Sequence, residues 1–319
     1  MKTNFAKFIT SEHSPLVLQL IIQTESSEQS LASTARVMAV YADQLCMPTH
    51  VDVEWVTSVD GKIVGSKRKL TSLPQSDRLA PQRVNRLFKD MTTASSGASV
   101  WGWEVPKQKI AKFEKCHFWC ETFNYGENVS NHLPFSAALV VRMEHLLGAG
   151  TDRWREFVLR AVSEAAAITP LRCGVADIIA TEQCCFGESF LHFRSARSFH
   201  RVALWARWIA ASKSGKDVVP WLGQAGILSA NALVRCGGID NLTKELRRRL
   251  GEYFFTHTPA EAEELVDPIP AGGAVVWFTH KFDECLLDEL EENDIDVEDS
   301  ITHRAAIMYL TLQDFGVAL

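Results

Sequence analysis

"PLVLQLIIQT" (15–24), followed by "EQSLASTARVMAVYADQL" (28–45), decides the fold class. The first run is short, apolar and bounded by Pro15 and the polar "TESSEQS", which predicts a buried strand. In the second, Leu31, Ala35, Met38, Ala42 and Leu45 recur at spacings of three and four, the period of one helix face, and Pro48 stands just beyond. "HVDVEWVTSVDGKIVG" (50–65) then alternates around Asp60-Gly61, a hairpin signal.

The same order recurs further along without evident identity. "FSAALVVRMEHLL" (135–147) predicts a strand, 151–168 a helix with Trp154, Phe157, Val158, Ala161 and Ala165 inward, and "LRCGVADIIAT" (171–181) a strand. After each unit a helix is expected, over 77–90 and 195–211. Paired strand-like runs follow: "ASVWGWE" with "CHFWCETFNY", then "GEYFFTH" with "GGAVVWFTH". The reading is α+β, with two related halves, each a strand-helix-strand unit followed by a helix and further antiparallel strands. The halves divide in the polar loop "GENVSNHLP", giving an N-terminal half of residues 1–130 and a C-terminal half of 131–319.

With 46% apolar residues, nine Trp and 17 Phe, 319 residues can bury a large core. No run reaches the roughly 18 apolar residues that a membrane-spanning helix requires. The N-terminal Lys2 and Lys7 precede Glu12 and His13 rather than a long apolar stretch, a poor leader pattern. The eight cysteines show no paired spacing, so reduced thiols and a cytoplasmic location are expected.

Charge is unevenly placed. The net balance is −6, yet residues 259–299 hold 14 carboxylates against one Lys, leaving the rest of the chain with 32 bases against 25 acids. The densest part, "DECLLDELEENDIDVEDS" (283–300), has ten carboxylates and no Lys or Arg. Phe282, Leu286 and Leu290 recur every four residues, which predicts an amphipathic helix there; "NDIDVEDS" is expected to be a charged connection to the apolar "ITHRAAIMYLTL". Such a face either aids solubility or meets a basic partner. Asp288, Glu289, Glu291, Glu292, Asp294, Asp296, Glu298 and Asp299 are its candidate contacts, and they would speed association by electrostatic steering.

Chemistry-bearing motifs are sparse. In "CHFWC", strand alternation places Cys116 and Cys120 on one side and His117 on the other, which opposes a shared metal. "EQCCFGESFLHF" supplies Cys184, Cys185 and His192, but nucleophilic catalysis needs a base meeting the thiol in space and a third group orienting it. No phosphate-binding glycine loop occurs. "KELRRRLGEY" reads as a solvated basic face, since aromatics are not interleaved with its bases. No cofactor, no metal and no direct nucleic-acid contact are expected.

Three blocks carry a family resemblance: "SFHRVALWARWI" (198–209), "VVPWLGQAGILSANALVRCGGIDNLTKEL" (218–246) and "PIPAGGAVVWFT" (268–279). They resemble the TsiV-type immunity proteins of bacterial type VI secretion systems, over roughly 135–280. The middle block has Trp221 in an extended approach, a short helix, a Gly237-Gly238 turn and a second helix from Leu242 to Leu250; Trp205 and Trp208 lie in the first. Gly237-Gly238 is expected to end one helix left-handed and Asp240 to cap the next. The resemblance implies a non-enzymatic protein that binds a cognate effector toxin, a nuclease being one implied target, and occludes its cleft. A Cys- or metal-dependent hydrolase is the alternative, requiring Cys185 or Cys116 to meet His192, His200 or His117. A non-catalytic adaptor is the third reading.

Overall fold

The computed structural model describes residues 16–24, 28–59, 62–72, 97–103, 116–123, 136–146, 153–180, 206–208, 210–211, 214–253, 265–278 and 297–319. The first unit is β1 (Leu16–Thr24), α1 (Glu28–Cys46), β2 (His50–Val59) and β3 (Lys62–Ser72), followed by β4 (Gly97–Trp103) and β5 (Cys116–Phe123). The second is β6 (Ser136–Arg142), a 3-10 turn (Met143–His145), α2 (Arg153–Ala166) and β7 (Leu171–Ala180). After it come β8 (Ala225–Ser229), α3 (Ala230–Arg235), α4 (Ile239–Tyr253), β9 (Val266–Pro268), β10 (Gly273–Trp277) and α5 (Val297–Asp314). The fold is α+β, with the strand-helix-strand unit present twice.

All the strands among the described residues join one ten-stranded antiparallel sheet in the order β3-β2-β4-β5-β6-β1-β7-β8-β10-β9. Strand β1 lies between the two strands of the second unit: Leu20 pairs with Leu139 of β6 on one side and Ala176 of β7 on the other. Strand β6 in turn lies beside β5 of the first half, Phe118 facing Val141. Residue 130 lies outside the described residues.

Alternation along the strands builds two cores. One face buries Leu18, Leu20 and Ile22 of β1 with Leu139 and Val141 of β6 beneath α1 and α2. The helices contribute Ala35, Met38 and Ala42, and Trp154, Phe157, Val158, Ala161 and Ala165, the inward positions set by their spacing. Tyr41 of α1 stacks on Phe157 of α2 with ring centroids 5.0 Å apart. Trp154 meets Trp277 of β10 edge to face at 5.6 Å, and the Arg155 guanidinium lies 4.9 Å from the Trp277 ring centroid. The opposite face is covered at its C-terminal end by α3, α4 and α5, through Leu228, Leu242, Leu246, Leu250, Phe278, Met308 and Leu312.

Two elements depart from the sequence reading. "GEYFFTH" is not a strand at its start: Gly251–Tyr253 continue α4, because Leu242, Leu246 and Leu250 form a stripe at every fourth residue that is fully buried against the sheet. The partners of β10 are instead β8 and the three-residue β9. "VEDS" (297–300), read as part of a connection, is the first turn of α5. The helices expected over 77–90 and 282–290 fall outside the described residues.

Candidate functional site

The middle of the second sheet face gathers polar groups beneath two indoles. Gln19 and Gln23 alternate with Leu18, Leu20 and Ile22 along β1, so both glutamines share the face of Ile21, opposite α1 and α2. The antiparallel register sets Gln19 against Asp177, and Gln23 against Cys173 on β7 and Ser136 on β6. The Cys173 thiol donates to Gln23 Oε1 at 3.4 Å. Trp208, in the helical residues 206–208, and Trp221 pack on Ile21, Ala138 and Val175 between these groups. The Trp208 indole N–H donates to Ser136 Oγ at 3.2 Å. Trp208 of "SFHRVALWARWI" and Trp221 of "VVPWLG", from separate family-like blocks, thus meet over strands from both halves.

Asp177 is the titratable member of this cluster. Burial pushes its carboxyl up to about 7, against a partial opposing effect from the Ile178 amide and the Trp221 indole. Its Oδ1 accepts the Ile178 N–H at 3.0 Å. Such a group can exchange a proton near neutrality. The thiol on the same strand face is unsuited to nucleophilic work, because burial pushes Cys173 up to about 12. Cys46 is likewise raised by burial, and Cys236 is raised to about 11.

The helical hairpin of the family-like block is a rigid bracket. Ser229 caps α3 by accepting the Ala232 N–H at 3.0 Å, and its hydroxyl donates to Asp217 Oδ2 at 2.7 Å. Asp217 also receives Arg172 Nε at 3.1 Å, while Arg235 reaches the backbone carbonyls of Asp217 and Gly316. Gly237 has φ +77° and Gly238 φ +91°. Gly238 N–H bonds to Leu233 O and Gly237 N–H to Val234 O, the paired bonds of a Schellman ending. Asp240 does not cap the next helix: α4 begins at Ile239, and Leu242 N–H already bonds to Gly238 O. Asp240 lies in the first turn, where its charge suits the helix dipole. Along α4, Arg248 and Arg249 both bond Glu245 and hold its carboxyl down to about 2. Arg249 also reaches Asp314 of α5 at 2.5 Å.

The thiol and imidazole of "CHFWC" do not converge. Cys116 and Cys120 are fully buried and donate to Phe118 O and Ala35 O, while His117 stacks on His145 with ring centroids 4.6 Å apart. Among the described residues no group of three His, Cys, Asp or Glu is placed to hold a metal ion. No helix among them is long and apolar enough to cross a membrane. Asp288, Glu289, Glu291, Glu292, Asp294 and Asp296 lie outside the described residues, as do Trp205, Cys184, Cys185, His192 and His200. Glu298 and Asp299 occupy the first turn of α5.

Asp177 and the His117–His145 stack were not singled out in the sequence. "GVADIIA" does carry a signal for the first, a lone carboxylate inside an apolar strand. Nothing comparable marks the stack, whose members are brought together by the pairing of β5 with β6.

No protein-family model matches the chain, and no curated protein matches it. Among solved structures it is similar to the Pseudomonas aeruginosa T6SS protein PA0821, at 12% identity and a TM-score of 0.52, over 96% of this chain and 74% of that one. At that identity the likeness is one of fold: this chain has the architecture of a solved type VI secretion system protein, nearly from end to end.

Proposed function

We propose that the protein is a TsiV-type immunity protein that binds a cognate type VI secretion effector in the cytoplasm and neutralises it by occluding its active cleft. The observation that carries this reading is the fold likeness to a T6SS protein across 96% of the chain. The resemblance of residues 198–209, 218–246 and 268–279 to immunity proteins supports the same role.

A blocking role needs shape and charge rather than a reacting group. Buried aromatic and Arg anchors usually dominate affinity in such complexes, while carboxylates at the rim raise the rate of encounter. Asp288, Glu289, Glu291 and Glu292 are assigned to that rim. A toxin with a basic substrate cleft, a nuclease first among them, is the matching partner.

Co-expression with candidate effector toxic domains, starting with any encoded beside this chain, tests the reading. Restored growth and a co-purifying complex are expected; a toxin that stays lethal and forms no complex overturns it. Charge reversal at Asp288, Glu289, Glu291 and Glu292 is expected to slow association more at low salt than at high salt. An unchanged rate removes the acidic stretch from the mechanism and leaves the immunity role standing.

A further inference from the structure

The two ends of the sheet are built differently. At one end β9 has three residues and finishes in Pro268, which has no N–H to offer a neighbour. At the other, β3 has 11 residues, and among the described residues it pairs with β2 alone. An antiparallel strand paired on one side leaves alternate N–H and C=O groups directed to the other, a template for a further strand.

Strand β3 contains Lys62, Lys67, Arg68 and Lys69 and no Asp or Glu. The register with β2 sets Arg68 opposite Glu54. Lys67 stands opposite Trp55 and Lys69 opposite Val53, so these two positions, on one face and two residues apart, have no carboxylate across from them on β2. A strand added on the outer side would place its own residues opposite Lys67 and Lys69, about 5 Å away between Cβ atoms. A second copy's β3 is a poor occupant, because antiparallel self-pairing around Arg68 sets lysine against lysine.

We propose that β3 is a docking edge for an extended segment of a partner protein that carries carboxylates at alternate positions and adds to the sheet as an eleventh strand. Backbone hydrogen bonds would supply much of the affinity and the alternate carboxylates the register. This edge is independent of the acidic rim assigned to the effector, so its failure leaves the immunity reading untouched.

The probe is a labelled acetyl-Thr-Glu-Val-Glu-Val-Glu-Thr amide, with a Lys-for-Glu peptide and a backbone N-methylated acidic peptide as controls. In the free protein, outward amides of β3 are expected to exchange rapidly. The acidic peptide is expected to bind by fluorescence anisotropy and to protect amides within 62–72, with affinity falling on the order of tenfold as salt is raised. The N-methylated peptide is expected not to bind. The double variant Lys67→Glu/Lys69→Glu should exchange its preference, releasing the acidic peptide and taking the Lys peptide, a gain that a misfolded variant cannot show. Slow exchange of β3 in the free protein, no binding of the acidic peptide, protection confined to other strands, or self-association through β3 would each overturn the proposal.

Discussion

Trp208 and Trp221 meet edge to face, ring centroids 5.9 Å apart and planes at 61°, over Ile21 of β1, Ala138 of β6 and Val175 of β7. One aromatic pair therefore spans strands from both halves. Trp208→Ala should lower stability by about 3–5 kcal/mol, the usual cost of truncating a large buried aromatic. Ser136→Ala, which removes the acceptor of the Trp208 N–H, should cost about 1 kcal/mol. Urea unfolding followed by circular dichroism checks both; equal costs would mean that the hydrogen bond, rather than ring burial, anchors the pair.

Asp177 gives stability a neutral-pH component. Its folded carboxyl titrates at about 7 against an ordinary 3.8, so the folded state holds the proton more tightly than the unfolded chain. The associated stability is fully present below pH 3.8 and is lost as pH rises through 7. Asp177→Asn keeps the shape and removes the ionisation, so it should be more stable than the parent at pH 8, by on the order of 2 kcal/mol, with a smaller gain at pH 5. Denaturant midpoints at the two pH values decide it; a parallel offset would show that Asp177 does not titrate in this window.

His145 works in the opposite sense. Burial and the neighbouring His117 lower it to about 4, so it is neutral in the fold, whereas the unfolded chain takes up a proton near 6.5. Its contribution is present above pH 6.5 and is lost as pH falls through 4. His145→Gln should flatten the acid limb of the stability profile between pH 6.5 and 4 while changing little at pH 8. An unaltered acid limb would place the loss elsewhere.

Two glycines should respond unequally to alanine. Gly237, at φ +77°, would bring a Cβ to 3.0 Å from Asn241 Nδ2, the end of a side chain that can shift. Gly237→Ala should cost about 1–2 kcal/mol, mostly from the backbone conformation. Gly273, at φ +117°, would place a Cβ 2.4 Å from Leu228 O, which the β8–β10 ladder fixes. Gly273→Ala should be the more destabilising, and thermal melts of the two variants rank them directly.

Much of the local fold was legible because each element carries its own period. The three-four spacing of Ala35, Met38 and Ala42, the alternation around Asp60-Gly61, and the inward set Trp154, Phe157, Val158, Ala161 and Ala165 all lie within one element, and each is found where its spacing puts it. The exchange of β1 and β6 between halves was not legible: both are short apolar runs, and nothing in such a run names its neighbour across more than a hundred residues. "GEYFFTH" misled for a related reason. Its aromatic content favours a strand, but the leucine stripe before it carries α4 through Tyr253. Of the site, Trp208, Trp221 and the Gly237-Gly238 turn were visible through resemblance, whereas the proton affinity of Asp177 arises only from its burial in the assembled fold.

The position of β1 has a consequence for synthesis. The strand leaves the ribosome well before either of its neighbours, β6 and β7, which are encoded more than a hundred residues downstream. At translation rates of about 5–20 residues per second, "LVLQLII" waits on the order of ten seconds for the strands that will flank it. During that interval a nascent chain exposes an apolar strand without its partners, so efficient expression should depend on chaperone capacity between the synthesis of β1 and that of β7.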